Sequence, residues 1–293
     1  MTVLLLTKQT KKAYERRRLE ESFADKKIKT TVKHPKDFDL VVTHEIEHSV
    51  KLNGQDFEWP KFVILRGTSG ENNFNLAIMR EFEQAGIPVI NSPTAIENAR
   101  DKLRTCQILA NNGIRIPKTL MFKWPVDEEL IEREIGWPCV VKVVSGSQGN
   151  GVYLCKKRKH FTALMNMAVT LGNRQTLIVQ EYMADRVGED LRVLVVGGRV
   201  IGAMRRISND DFRANISQGG HGEPFPVSDE IDYISREAAR LLGLEVAGID
   251  LLFDGDSFRV CEVNSNPGFR GFERYCDVNV ADAITEYIRL KIQ

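Results

Sequence analysis

Gly248-Ile-Asp-Leu-Leu-Phe253, followed after a short polar turn by Arg259-Val-Cys-Glu-Val-Asn-Ser-Asn-Pro-Gly268, is the stretch whose reading decides the fold. Both halves are strand-like apolar runs interrupted by oxygen-bearing side chains, Asp250 in the first and Glu262 and Asn264 in the second. Side chains two apart on a strand share a face, so Glu262 and Asn264 point the same way. A carboxylate is costly to bury unless something pairs with it. Oxygen donors without sulfur or imidazole suit Mg²⁺ or Mn²⁺, which bind through a few carboxylates together with substrate phosphates. The plainer alternative is a half-exposed hairpin carrying ordinary surface acids. For Asp250 to join Glu262, parity requires a three-residue turn, Gly255-Asp256-Ser257, or a bulge with the same effect.

Working upstream, Val140-Val-Lys-Val-Val144 places Lys142 inside a β-branched run, immediately before the loop Ser145-Gly-Ser-Gln-Gly-Asn-Gly151. A strand lysine and a glycine-rich loop can cradle phosphate, the ammonium neutralising oxygens while backbone N–H groups close over others. By itself the pattern also fits a lysine snorkelling from an edge strand, and the loop lacks the Gly-Lys-Ser/Thr ending of a Walker A sequence. Leu177 to Met183 ends an apolar strand with Gln180, Glu181 and Tyr182, a strand exit that can border an adenine ring. Arg205, Arg206, Arg213 and Asn215 form the densest cationic and polar cluster downstream, suited to a phosphate or an acidic substrate. Gly197-Gly198 separates two strands by two residues, which selects a primed turn with positive φ. That register pairs Val196 with Arg199 and sets Asp190 opposite Arg205, with Arg192 on their face.

The first ~95 residues read as alternating strands and helices: Val3–Leu6, Asp39–Val42 and Phe62–Leu65 are short apolar strands, with helices at Tyr14–Phe23 and Phe74–Ala85. That is an α/β lobe with a mostly parallel sheet. After Pro117 strands dominate, with one clear helix around Phe161–Leu171, giving an antiparallel α+β part. The spacing of Val280, Ile284, Tyr287 and Ile288 predicts a final helix packed on the core. His44-Glu-Ile-Glu-His48 matches the zinc-protease pattern H-E-x-x-H, but a strand runs straight into it and Asn53-Gly54 follows closely. Both histidines need one helical face, so a solvated loop is the better reading.

Lys plus Arg total 41 against 40 Asp plus Glu in 293 residues, so no global field recommends nucleic acid or an anionic membrane as partner. Hydrophobic residues make up 42% and charged residues 28%, the profile of a globular enzyme. Cys106, Cys139, Cys155, Cys261 and Cys276 lack CxxC spacing and read as free thiols or small hydrophobes. The start shows neither a charged leader nor a cleavage site, and no apolar run reaches about 18 residues. The expectation is the cytoplasm or another reducing compartment.

Taken in order, these pieces resemble the ATP-grasp superfamily, and within it the RimK-like glutamate ligases, a group that includes enzymes making N-acetylaspartylglutamate. The resemblance spans nearly the whole chain, through Tyr14–Leu19, Leu65-Arg-Gly67, Ile87–Asn91, Ala99–Leu103, Lys142 with Gly146–Gly151, Gln180-Glu-Tyr182, Gly188–Arg192, Phe212–Asn215 with Gly219-Gly220, Glu262-Val-Asn264 and Pro267-Gly268. It implies an ATP-grasp fold: an N-terminal pre-ATP-grasp βα lobe (1–95) and two β-rich lobes, central (96–183) and C-terminal with the metal site (184–293), enclosing ATP. It further implies that Lys102 and Lys142 contact ATP phosphates beside Ser147 and Gln148. Gln180, Glu181, Tyr182 and Met183 would border the adenine and Asp190 the ribose. Arg205, Arg213 and Asn215 would meet phosphate or intermediate, with Lys142, Arg213 and Asn215 as the catalytic set. Asp250, Glu262 and Asn264 would hold Mg²⁺ or Mn²⁺, two ions in all.

The implied reaction joins an acidic amino acid, such as glutamate, to a carboxylate acceptor through an acyl phosphate, releasing ADP and phosphate. The acceptor is open between a small molecule and a peptide, protein tail or carrier-protein glutamate. A homo-oligomer is compatible with the sequence. A non-catalytic nucleotide-binding regulator is the competing class, but a pure binder has no need of Asp250, Glu262 and Asn264 together.

Overall fold

The computed structural model describes residues 2–42, 44, 49–67, 73–144, 151–171, 176–208, 211–214 and 220–292. The N-terminal part comprises β1 (Thr2–Thr7), α1 (Tyr14–Asp25), β2 (Lys29–Lys33), β3 (Phe38–Leu40), β4 (Val50–Leu52), β5 (Phe62–Arg66), α2 (Asn73–Gln84), β6 (Val89–Ile90) and α3 (Pro93–Arg100). Its main sheet is parallel, in the order β2-β1-β5-β6. The middle of β1, residues 3–6, is continuously apolar because both of its faces are covered. Val3 and Leu5 pack with Leu19 and Phe23 of α1, while Leu4 and Leu6 pack with Leu76, Met79 and Phe82 of α2. Residues 38–40, expected among the strands of that lobe, instead pair antiparallel with β4 in a separate ribbon. The His-Glu segment is the connection across that ribbon; its His44 is exposed, and residues 45–48 lie outside the described residues.

The central part holds α4 (Lys102–Asn111), β7 (Thr119–Met121), α5 (Glu128–Glu134), β8 (Cys139–Val143), β9 (Val152–Cys155), α6 (Arg158–Thr170) and β10 (Leu177–Glu181). Its antiparallel sheet runs β7-β10-β8-β9. Phe161 and Met165 of α6, with Ile131 of α5, cover one face. Helix α5 adds to the single helix expected here.

Then come β11 (Glu189–Val196), β12 (Arg199–Ile207), β13 (His221–Phe225), α7 (Asp229–Leu242), β14 (Val246–Asp254), β15 (Ser257–Asn264), α8 (Arg270–Cys276) and α9 (Val280–Ile292). The strands form an antiparallel sheet in the order β13-β12-β11-β14-β15. Helix α7 lays Ile231, Ile234, Ala238 and Leu242 on the face carrying Leu191, Val193, Ile249 and Leu251. The opposite face meets Phe269, Phe272 and Ile284. That cluster also contains Val3, Leu5 and Phe23, so one core joins the first and last parts of the chain.

Two registers place the functional residues. Gly197 and Gly198 take φ of 58° and 74°, as a primed turn requires, and Val196 does pair with Arg199. Ile201 then bulges out between the partners Val195↔Val200 and Leu194↔Gly202. The one-residue shift sets Asp190 opposite Arg206 rather than Arg205, and turns Arg205 to the other face. Strands β14 and β15 are joined by two turn residues, Gly255 and Asp256, since Asp254 pairs with Ser257. A bulge at Cys261 restores the parity, so Asp250 stands opposite Glu262.

The N-terminal part is tied to the start of β14 through Asn91, which is 3% exposed. Its Nδ2 donates to Val246 O and Ser265 O, both at 2.7 Å, and its Oδ1 accepts from Glu245 N and Val246 N at 2.8 and 2.9 Å. All five cysteines are free thiols. Among the described residues no helix is long and apolar enough to cross a membrane. Asn91→Leu removes both ends of this clamp and strands buried backbone groups, so it is expected to cost roughly 2–4 kcal/mol of unfolding free energy. Denaturant titration checks this, and a loss below about 1 kcal/mol would mean that the clamp is dispensable.

Candidate active site

Four charged side chains, Arg206 and Asp250 buried and Asp190 and Arg192 half-buried, form a row on the face of the C-terminal sheet turned away from α7. Arg206 spans Asp190 with Nε and Nη2, each at 2.6 Å, and reaches Asp250 Oδ2 with Nη2 at 3.0 Å. Arg192 grips Asp250 from the other side, Nε on Oδ1 and Nη2 on Oδ2 at 2.8 Å. Burial pushes the Asp190 carboxyl up against the pull of Arg206. At Asp250 burial acts the same way, but the two guanidiniums outweigh it and hold the carboxyl below the usual range. Gly248 continues the row, where an added Cβ would lie 2.8 Å from Pro267 Cβ and 3.3 Å from Arg192 Cδ. Only glycine lets the Asn264–Gly268 loop close over the sheet there.

Beside this row a cleft opens between α4, the central sheet and β15. Lys102 and Lys142 line it, with Cys106, Ile178, Gln180, Cys261 and Glu262. Lys102 is the first residue of α4, whose N-cap Asp101 accepts from Arg104 N at 3.0 Å, and it lines the cleft from that helix. Lys102 Nζ lies 4.0 Å from Glu262 Oε1. Lys142 Nζ donates to the bulged Cys261 Sγ at 3.5 Å. Burial works against the Lys142 ammonium, but Cys261 and Glu262 more than offset it and raise its pKa. The arrangement can neutralise a polyanion lying between two lysines and the β15 acid.

Several expected site residues are engaged elsewhere. Gln180 borders the cleft, with Nε2 donating to Thr119 Oγ1 at 2.8 Å. The Glu181 carboxylate accepts from Arg259 Nη1 at 2.7 Å and Lys118 N at 3.0 Å, so its side chain is committed to Arg259. Tyr182 is half-buried edge-on to Phe212 at 6.4 Å between centroids, and Met183 beside it is also half-buried. Asp190 is the counter-ion of Arg206, not a free ribose acceptor. Arg205 pairs with Glu189 and Glu223 on the opposite face, a direct result of the Ile201 bulge. Arg213 is held by Asp211 at 2.6 Å. Ser147, Gln148 and Asn215 lie outside the described residues.

The oxygen set fits a hard divalent cation with one correction. A carboxylate offers about four acceptor positions, and three of those at Asp250 are taken by Arg192 and Arg206. Asp250 is thus a counter-ion first, with one position left on Oδ1. Glu262, whose side chain is 42% exposed, makes no hydrogen bond among the described residues. Asn264 Oδ1 accepts from Asn266 N at 2.9 Å. Among the described residues no group of three or more His, Cys, Asp or Glu gathers as a metal cluster. Sequence reasoning missed Cys106 and Cys261 in the cleft wall. A bulge that re-aims one residue leaves no local sequence signal.

Comparison with known proteins agrees with this geometry. The RimK PreATP-grasp domain matches residues 1–96 and the RimK-like ATP-grasp domain residues 99–288. A probable alpha-L-glutamate ligase of Thioalkalivibrio sulfidiphilus is 33% identical over 290 residues, covering 98% of this chain and 95% of that protein. One of Aeromonas salmonicida is 37% identical over 245 residues, covering 83% and 82%. Among solved structures, the ATP-grasp ligase PsnB complexed with minimal precursor, Mg and ADP superposes with a TM-score of 0.76 at 22% identity, over 100% of this chain and 97% of that one, a likeness of fold. With the two domains together spanning almost its whole length, the chain belongs to the RimK-like ATP-grasp family.

Proposed function

We propose that this chain is an ATP-dependent ligase that joins L-glutamate, or another acidic amino acid, to a carboxylate acceptor through an acyl phosphate, releasing ADP and phosphate. The observation that carries it is the cleft in which Lys102, Lys142 and Glu262 face one another from three separate parts of the chain. Relatives called probable alpha-L-glutamate ligases support the amino acid class. The lobes 1–95, 96–183 and 184–293 are supported by the three larger sheets, each formed within one of those ranges.

In this reading ATP lies with its phosphates against Lys102 and Lys142, and its base toward Ile178, Gln180 and the strand exit at Glu181 to Met183. The Glu181 side chain is occupied, so this exit recognises the base through backbone groups and through the flanks of Tyr182 and Met183. Glu262 and Asn264 would hold Mg²⁺, with the remaining acceptor position on Asp250 completing the set. Mn²⁺ would suit the same oxygen donors, and a second ion would draw on the same carboxylates. A bound ion neutralises phosphoryl charge. Arg213, paired with Asp211, is the cation this reading assigns to the intermediate, and Asn215, outside the described residues, is assigned to it as a neutral hydrogen-bonding amide. The acceptor carboxylate attacks the γ-phosphorus, and the amine then displaces phosphate from the acyl carbon; the cleft residues position and neutralise, and no side-chain nucleophile takes part. The free thiols and balanced charge support a reducing cytoplasm and partners other than nucleic acid or membrane.

The test is a panel of carboxylic acids, peptides and protein tails offered with L-glutamate, ATP and Mg²⁺, scored by ADP release and product mass. An adduct formed with loss of water and stoichiometric ADP is expected, and AMP with pyrophosphate would overturn the reading. Lys142→Ala should lower kcat/KM by roughly 100- to 1000-fold, the scale of losing one charge-stabilising group, while circular dichroism stays unchanged. Wild-type-like turnover would remove Lys142 from the site.

Glu262→Gln and Asp250→Asn separate ligand from counter-ion. Both are expected to lose Mg²⁺-dependent turnover. In metal-free denaturant titration only Asp250→Asn should also lose stability, by about 3 kcal/mol, because it breaks a buried ion network. Equal stabilities would show that Asp250 does not anchor the row.

A further inference from the structure

Arg66, the last residue of β5, is 3% exposed and has no acid within ion-pair distance among the described residues. Its Nη2 donates to Pro267 O at 2.5 Å and its guanidinium lies 5.7 Å from the Phe269 ring centroid, yet its buried Nε has no hydrogen-bond partner among the described residues. Burial pushes the guanidinium down to about 10, and Glu15 is the acid that pulls it back. Glu15 itself points toward the Pro267-Gly268 loop, its Oε1 being 3.4 Å from where a Cβ of Gly268 would stand. The neighbouring Gln9 amide fills the space that a side chain at Gly67 would need, and Gln9 Oε1 is also buried without a partner among the described residues. An orphaned donor and an orphaned acceptor at one junction are unusual, since buried polar groups are nearly always paired.

The Pro267 carbonyl that Arg66 holds belongs to the loop closing over Gly248 and Arg192, which links this junction to the row behind the proposed metal ligands. We propose that Arg66 and Gln9 form the subsite for the α-amino acid substrate, Arg66 Nε donating to its α-carboxylate and Gln9 Oε1 accepting from its α-nitrogen. A guanidinium is the donor best matched to a carboxylate. A neutral amide oxygen orients an amine without the charge that would hold it protonated, as the attacking nitrogen needs. The inference deepens the ligase reading by giving the amine substrate a place built from the N-terminal lobe.

The test uses Arg66→Lys and Gln9→Ala in the full chain, read by KM and by ligand-induced shift in melting temperature. The KM for L-glutamate should rise at least tenfold in both, while the KM for ATP stays within twofold. L-Glutamate should raise the melting temperature of the wild type with ATP analogue and Mg²⁺ present, 4-aminobutanoate should not, and neither variant should respond to L-glutamate. An unchanged glutamate KM with a lowered melting temperature would reduce Arg66 to a brace for Pro267 and overturn the proposal. If the wild type forms no product, the ligase reading fails on its own, and the melting shift still decides the subsite: a glutamate response lost in the variants supports it, and no response in the wild type overturns it.

Discussion

The row Asp190, Arg206, Asp250 and Arg192 is the constraint on which the rest of the structure depends. Its charges alternate across β12, β11 and β14, so each carboxylate is paired with a guanidinium that could not otherwise be buried. Such a network is weak as a source of net stability but severe as a rule of register, because slipping any strand by one residue would strand a charge. Both bulges serve it. Ile201 brings Arg206 rather than Arg205 onto the row, and Cys261 sets Glu262 beside Asp250.

From that row the chemistry extends outward to Glu262, Asn264 and the two lysines of the cleft. Glu262 and Asn264 share a face of β15 at the edge of the sheet, and across the cleft the helix end at Lys102 and the strand at Lys142 supply the opposing sign. The cations come from α4 and β8 and the oxygens from β15, so an anion between them is held only when the central and C-terminal parts are both in place. The N-terminal part contributes Asn91, clamped to β14, and Arg66, clamped to the Pro267 loop. Its role is therefore to position the C-terminal loop as well as to fold.

Much of this was legible in the sequence where periodicity and local turn chemistry decide. The continuous apolar run of β1 announces a strand covered on both faces, and Gly197-Gly198 announces its turn type. The spacing from Asp250 to Glu262 required an odd offset, which the fold supplies by a bulge rather than a longer turn. Bulges are decided by what packs on the sheet, here Phe272 against Gly202 on the face of the row, and nothing at Ile201 itself foretells one. That is why Asp190 and Arg205, each read as a ligand contact, proved to be a counter-ion and a residue of the far face. Residues 228–243 carry plain helix signals, with Ser228 as N-cap and Gly243 as left-handed stop, in a half of the sequence where strand patterns dominate. Arg66 is the reverse case, a charge in an apolar strand whose isolation shows only when its neighbours are in place.

The central claim is that this cleft activates a carboxylate by phosphoryl transfer, and the fate of the acceptor's own oxygen tests it most directly. With an acceptor carrying ¹⁸O in both carboxylate oxygens, ATP, Mg²⁺ and L-glutamate, the account predicts that each phosphate released carries a single ¹⁸O and that the nucleotide product is unlabelled ADP. Unlabelled phosphate, or ¹⁸O recovered in AMP, would contradict it.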